Sequence, residues 1–96
     1  MKHIINGFIY KDNASTSLKF IQGSVLVVQG NGFGSYKIQG KLGNGNPKLL
    51  ALVNASTLEV STTATNDNIY KIDVTGLSQI EAIEVSGVSE IYADIS

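Results

Sequence analysis

Along Asn68-Ile69-Tyr70-Lys71-Ile72-Asp73-Val74-Thr75-Gly76, one side of an extended backbone collects Tyr70, Ile72 and Val74, and the other Lys71, Asp73 and Thr75. That two-residue period is the signature of a strand with one face on a core and one in water. The rest of the chain repeats it in short runs, each closed by Gly, Asn or Ser. A chain written this way has few options beyond an antiparallel β-fold, because helices need a period near 3.6 residues.

The runs predict strands at 3–10, 16–22, 24–29, 35–42, 48–53, 57–64, 69–75, 79–85 and 90–95. Asn13-Ala14-Ser15 reads as a turn, Gly30-Asn31-Gly32-Phe33-Gly34 as a long turn, and 65–68 as a polar turn. Val25-Leu26-Val27-Val28 is apolar on both faces and reads as a central strand. In 35–42, Tyr36, Ile38 and Leu42 face inward, and Lys37, Gln39 and Lys41 outward. Gly43-Asn44-Gly45-Asn46-Pro47 is the strongest breaker, and its Asn44-Gly45 pair suits a hairpin or a crossover between sheets. Residues 47–53 and 78–85 have helical alternatives, the first with Pro47 at a helix start and the second with a Ser78-to-Glu81 capping box. Strands are favoured in both places, since Gly87 would stop the second helix after about two turns. The expected architecture is all-β: a single-domain antiparallel β-sandwich or jelly roll of about eight strands over residues 1–96, with turns every 8–12 residues or so.

Composition narrows the chemistry. The chain is 96 residues long, 43% hydrophobic and 16% charged, with net charge −1. The seven basic residues, Lys2, Lys11, Lys19, Lys37, Lys41, Lys48 and Lys71, are all lysines and are scattered. Phosphate-backbone recognition clusters Lys and Arg, and base reading favours Arg, so no nucleic-acid partner is expected. Cysteine is absent, which removes disulfides, thiolate metal sites and a Cys nucleophile. The Met1-to-Gly7 start lacks a secretory apolar core and no run reaches membrane-spanning length, so neither a signal peptide nor a membrane partner is expected. Low charge weakens protection against edge pairing and favours an oligomer that covers the edges.

Motifs that suggest chemistry fail on spacing. Gly30 to Gly34 lacks the third glycine of a dinucleotide fingerprint, since Ser35 stands there, and no helix follows to hold a phosphate. His3 is a lone histidine without partners. Most carboxylates (Asp12, Glu59, Asp67, Asp73, Glu81, Glu84, Glu90 and Asp94) alternate with apolar residues, which turns them to solvent. Asn66-Asp67-Asn68 lacks the multi-carboxylate spacing of a calcium loop and reads as an Asx-type turn. The expectation is no enzyme activity, no catalytic residue, no cofactor and no metal.

Contact residues are more legible. The first segment is apolar on both faces, Ile5 and Ile9 on one, and Ile4, Phe8 and Tyr10 on the other. Such a strand is central or covered by another subunit. Phe33, flanked by glycines at a turn tip, is either folded onto the core or offered to a partner. Ile4, Phe8, Tyr10 and Phe33 are therefore the candidate interaction residues.

The C-terminal half resembles small phage virion proteins with the motif Gly-x-Tyr-x-(Ile/Val)-x-Val-x-Gly-hydrophobic followed by two closing strands. Here the corresponding residues run from Asn68 through Tyr70, Ile72, Val74 and Gly76 to Leu77. Tyr36-Lys37-Ile38-Gln39-Gly40 resembles their strand before a variable loop. Asn68 stands where glycine is usual, and Asn tolerates the same left-handed backbone. The resemblance implies a β-sandwich or jelly roll that decorates or cements a capsid, often as a trimer. The expected partners are a major capsid protein or another virion protein, and further copies of the chain, in a virion built in the host cytoplasm. The alternative is a carbohydrate-binding or adhesion module, with Phe33, Tyr10, Tyr36, Tyr70 and Tyr92 as the aromatics available to a sugar.

Overall fold

The computed structural model describes residues 6–19, 23–65 and 68–95. Ten strands form one sheet: β1 (Asn6–Lys11), β2 (Ala14–Ser15), β3 (Leu18–Lys19), β4 (Val25–Lys41), β5 (Lys48–Leu49), β6 (Leu52–Asn54), β7 (Val60–Ser61), β8 (Ala64–Thr65), β9 (Ile69–Asp73) and β10 (Gln79–Ile95). The main path runs β2-β1-β10-β4-β9-β6-β7, while β3 pairs with β10, and β5 and β8 pair with β4. Every pairing among the described residues is antiparallel, and those residues contain no helix. The all-β expectation therefore holds, and 48–53 and 79–85 contain strand. Residues 3–5 of the first predicted strand, His3, Ile4 and Ile5, lie outside the described residues. So do Phe20 and Asn66-Asp67.

The main departure lies at the segment read as a long turn, 30–34, and at the gap between two predicted strands, 86–89. Residues 30–34 and 86–89 do not turn back; they sit inside β4 and β10. Each of these strands holds 17 residues. Laid straight at about 3.3 Å per residue, either would run roughly 55 Å. The longest dimension of the fold is 34 Å, so both must bend. They bend together. One half of their ladder joins Leu26–Asn31 to Glu90–Ile95, and the other joins Lys37–Lys41 to Gln79–Ile83. Residues of both halves belong to one buried cluster, which includes Leu26, Val28, Ile72 and Ile91 from the first and Ile38, Ile80 and Ala82 from the second. The two walls of the core are thus two ends of one sheet.

Glycine makes the bend. A Cβ on Gly34 would stand 1.6 Å from the Ser86 carbonyl oxygen, and one on Gly32 would stand 2.5 Å from that of Gly87. No side chain fits there at all. Register shifts cluster between Ile83 and Glu90 and leave β10 one residue longer than β4 across the bend. Glu84 (φ 51°) and Gly87 (φ 71°) carry the left-handed backbone of these bulges. The extra residue switches which positions of β10 face inward. Ile80 and Ala82 are buried before the bend, and Ile91, Ala93 and Ile95 after it.

Elsewhere the alternation is kept. Tyr70, Ile72 and Val74 are buried while Lys71, Asp73 and Thr75 are exposed. Val25–Lys41 is central, as the double-faced apolar run requires, flanked by β10 and β9. Residues 42–47 close a β4–β5 hairpin, with Gln39 opposite Leu49 and the Gly45 N–H donating to the Leu42 carbonyl at 2.7 Å. Leu42 is exposed rather than inward, because β4 ends at Lys41 and the turn carries its side chain away. The first hairpin turns at Asp12 (φ 55°) and Asn13 (φ 63°), one residue earlier than expected, and Ala14–Ser15 is already strand. Two successive left-handed residues match the tight turn that agrees with strand twist, and Asp and Asn are the side-chain-bearing residues that best tolerate it.

Gly34→Ala is expected to cost about 3 kcal/mol or more, the upper end of overpacking, because the obstructing atom is backbone. Gly7→Ala has nothing within 4 Å of the added methyl and should stay within about 0.5 kcal/mol of the parent. Urea unfolding of the two variants beside the parent checks both.

Candidate functional site

The outward face of the larger half carries an apolar row. Phe8 on β1 stands opposite Tyr92 on β10, Tyr92 opposite Gln29 on β4, and Gln29 opposite Ile69 on β9. Val27 follows in the next row, between Asp94 and Lys71. Phe8 and Tyr92 stack with ring centroids 4.3 Å apart and planes tilted by 55°. Pairs of this kind contribute about 0.5–1.5 kcal/mol beyond their burial. The Lys11 ammonium lies 4.8 Å from the Phe8 ring centroid, capping the row with a cation over an aromatic face. Tyr92 remains 51% exposed and Ile69 42%. Between them runs an open depression of about 200 Å³ lined by Val27, Gln29, Ile69, Tyr92 and Asp94. Its chemistry is that of a contact surface: aromatic and branched apolar groups, with Lys11, Lys71, Asp94 and Glu90 around them.

The four expected contact residues separate. Phe8 joins this face. Tyr10 does not: the ladder shifts register between Phe8 and Tyr10, so Ile9 is the extra residue and both Ile9 and Tyr10 turn to the core. This corrects the shared face assigned to Phe8 and Tyr10, since an uninterrupted strand would have kept their parity. Phe33 is offered rather than folded back; it is 98% exposed, between the two bend glycines. Ile4 lies outside the described residues. Tyr92 and Ile69 are the members that the sequence reading did not assign to a contact face. Ile69 had a local signal, being apolar on the side of its strand that carries Lys71 and Asp73.

A second concavity has the opposite character. It opens among β6, β7, β8 and the start of β9, has a volume of about 340 Å³, and is lined by Asn54, Glu59, Ser61, Thr63, Thr65 and Tyr70, with Thr57 and Asn68 at its margins. The Tyr70 ring is buried, but its hydroxyl accepts from the Thr65 N–H at 3.1 Å and lies 3.4 Å from the Thr65 hydroxyl. Burial pushes the Tyr70 phenol up, yet donors on Thr65, Asn68 and Asn54 outweigh it and bring the phenol below its ordinary value. Asn54 holds the rim by accepting from the Ser56 and Thr57 N–H groups at 2.8 and 3.1 Å. Asn68 does not adopt the left-handed backbone its motif position allows; its side-chain amide instead donates to the Thr65 carbonyl at 3.1 Å. No group of three or more His, Cys, Asp or Glu is placed to hold a metal among the described residues.

No protein family matches the chain, and no curated protein matches it. Solved structures do. The SPBc2 prophage-derived protein YomS superposes with a TM-score of 0.71 at 14% identity, over 97% of this chain and 85% of that one. The PBSX exported protein XepA superposes with a TM-score of 0.76 at 15% identity, over 98% of this chain and 38% of that one. The chain therefore spans well under half of XepA. At these identities the likeness is one of fold, shared with phage-derived proteins.

Tyr36 provides a test of the core beside this cleft. Its hydroxyl is buried with no hydrogen bond of good geometry among the described residues. Burial raises the phenol far above its ordinary value, the neighbouring Tyr70 adds to the rise, and the Gly30 backbone opposes it. A phenol raised in the folded state favours folding only while protonated. Its contribution is complete below the unfolded value of about 10 and is lost as pH rises beyond it. Tyr36→Phe should therefore leave neutral-pH stability unchanged or raise it by about 1 kcal/mol. It should also flatten the decline in stability above pH of about 10. Urea melts across alkaline pH check both.

Proposed function

We propose that this chain is a non-enzymatic structural protein of a phage particle. It docks against a capsid or other virion protein and against further copies of itself, with a trimer as the favoured assembly. The observation that carries the reading is the outward row of Phe8, Tyr92 and Ile69 with Val27 beside it. These large apolar side chains sit on the face of a sheet whose opposite side already forms the core. Contiguous apolar surface of this kind marks protein contacts more often than isolated exposed residues do. The phage derivation of YomS and XepA supports a phage setting. Phe33 supplies a second point of contact on a glycine-flanked projection.

The mechanism is burial. Covering Tyr92, Ile69 and Phe8 removes apolar surface from water at about 25 cal/mol per Å². Aromatic anchors at the centre of such a patch supply most of the binding energy, while the charged rim sets register. A partner that binds only the folded, docked form stabilises it by mass action.

Ile69→Lys should leave the isolated fold within about 0.5 kcal/mol of the parent, since its side chain is already half in water, and Tyr92→Lys should cost about 1 kcal/mol, the worth of its ring contact with Phe8. They should abolish self-association measured by light scattering after gel filtration. Phe33→Ser should retain the fold and weaken co-sedimentation with particles. A parent protein that stays strictly monomeric at high concentration and does not co-sediment overturns the reading.

A further inference from the structure

The geometry points to a binding site for a neutral sugar in the polar cleft among β6, β7, β8 and β9. This goes beyond the docking role and uses a different surface. At about 340 Å³ the cleft falls at the small end of ligand sites, room for one or two sugar rings rather than a long chain. Its lining is hydroxyl, amide and one carboxylate. Tyr70, Thr63, Thr65 and Ser61 can each donate and accept, and so can each hydroxyl of a sugar. Glu59 only accepts, which suits a pair of neighbouring sugar hydroxyls as donors.

Charge decides against the anionic alternatives. Among the described residues no lysine lines the cleft, and its single ionised group is the Glu59 carboxylate, which makes no hydrogen bond or ion pair with any of them. Lys71, on β9 beside Tyr70, is turned to the opposite face of the sheet, as the strand's alternation demands. A phosphate or a sialic acid would meet a like charge with nothing to offset it. A neutral ring would not.

The walls are set before any ligand arrives. Ser61 donates to the Thr63 carbonyl at 3.2 Å and accepts from the Thr63 N–H at 3.1 Å. Thr57 accepts from the Glu59 N–H at 3.3 Å, and Asn54 caps the loop between β6 and β7. These bonds fix the backbone and leave the Thr57 and Thr63 hydroxyl protons and the Glu59 carboxylate unspent. Between Thr57 and Glu59, Leu58 is held at φ 64° with its side chain exposed. A branched apolar residue in the left-handed region is strained, and strain of this sort collects at binding and switch sites.

The test is an amide NMR titration of the full chain with glucose, galactose, N-acetylglucosamine and lactose, alongside inorganic phosphate and sialyllactose. At least one neutral sugar should shift the amides of Asn54, Ser61, Thr63 and Thr65 saturably, with a Kd on the order of 1 mM. Thr63→Val and Glu59→Gln should each weaken that Kd roughly three- to ten-fold. Thermal melts of both variants should superimpose on the parent, which separates a lost contact from a lost fold. The proposal is overturned if no neutral sugar moves these amides, if phosphate or sialyllactose moves them more, or if the shifts gather on Tyr92 and Ile69 instead. Light scattering on the same samples reports self-association separately, so failure here leaves the docking role standing and failure there leaves the cleft.

Discussion

Gly34 and Ser86 meet backbone to backbone, and the remainder of the fold follows from that contact. A Cβ at Gly34 would overlap the Ser86 carbonyl oxygen at 1.6 Å, so the two long strands approach this closely only because one of them has no side chain. The close approach lets β4 and β10 fold over together. Folding over lets one continuous sheet enclose its own core, with Ile38 and Ile80 contributed by one end and Leu26, Val28 and Ile91 by the other. It also separates the two surfaces of interest. The apolar outward row belongs to the larger half of the sheet, and the polar cleft to the short strands β6 to β8 and the start of β9.

Local pattern made much of this legible. Residues 69–75 alternate in the structure as they alternate in the sequence, and the double-faced run at 25–28 lies in the middle of the sheet. The glycines at 32 and 34 misled because a reversal and a bend use the same residue type. Only the partner strand distinguishes them, and it lies more than fifty positions away. Tyr10 misled for a related reason. Whether it shares a face with Phe8 depends on the Ile9 bulge, which is visible only in the pairing with Ile91. What failed was non-local information, not residue preference.

The site divides in the same way. Phe8 and Phe33 were identifiable from apolar residues in places that a lone sheet need not fill. Tyr92 and Ile69 join Phe8 only through register, since three strands of widely different sequence position carry them into one row. The cleft was harder still. Its Thr and Ser residues read as ordinary exposed-edge composition, and Tyr70 reads as a core residue, which its ring is. The phenol oxygen leaves the core at its far end to meet Thr65, and no linear pattern records that.

The additional residue that β10 carries across the bend has an evolutionary consequence. It acts as a gear between two stretches whose inward positions are out of phase, Ile80 and Ala82 before it and Ile91, Ala93 and Ile95 after. Loss of any one residue from 84 to 89 would force a choice between breaking the ladder and rotating Ile91, Ala93 and Ile95 into water while Tyr92 and Asp94 turned inward. Loss of two would keep the phase. Length variation in this segment among descendants of the fold should therefore come in even steps, and the outward apolar row survives only in lineages that respect that arithmetic.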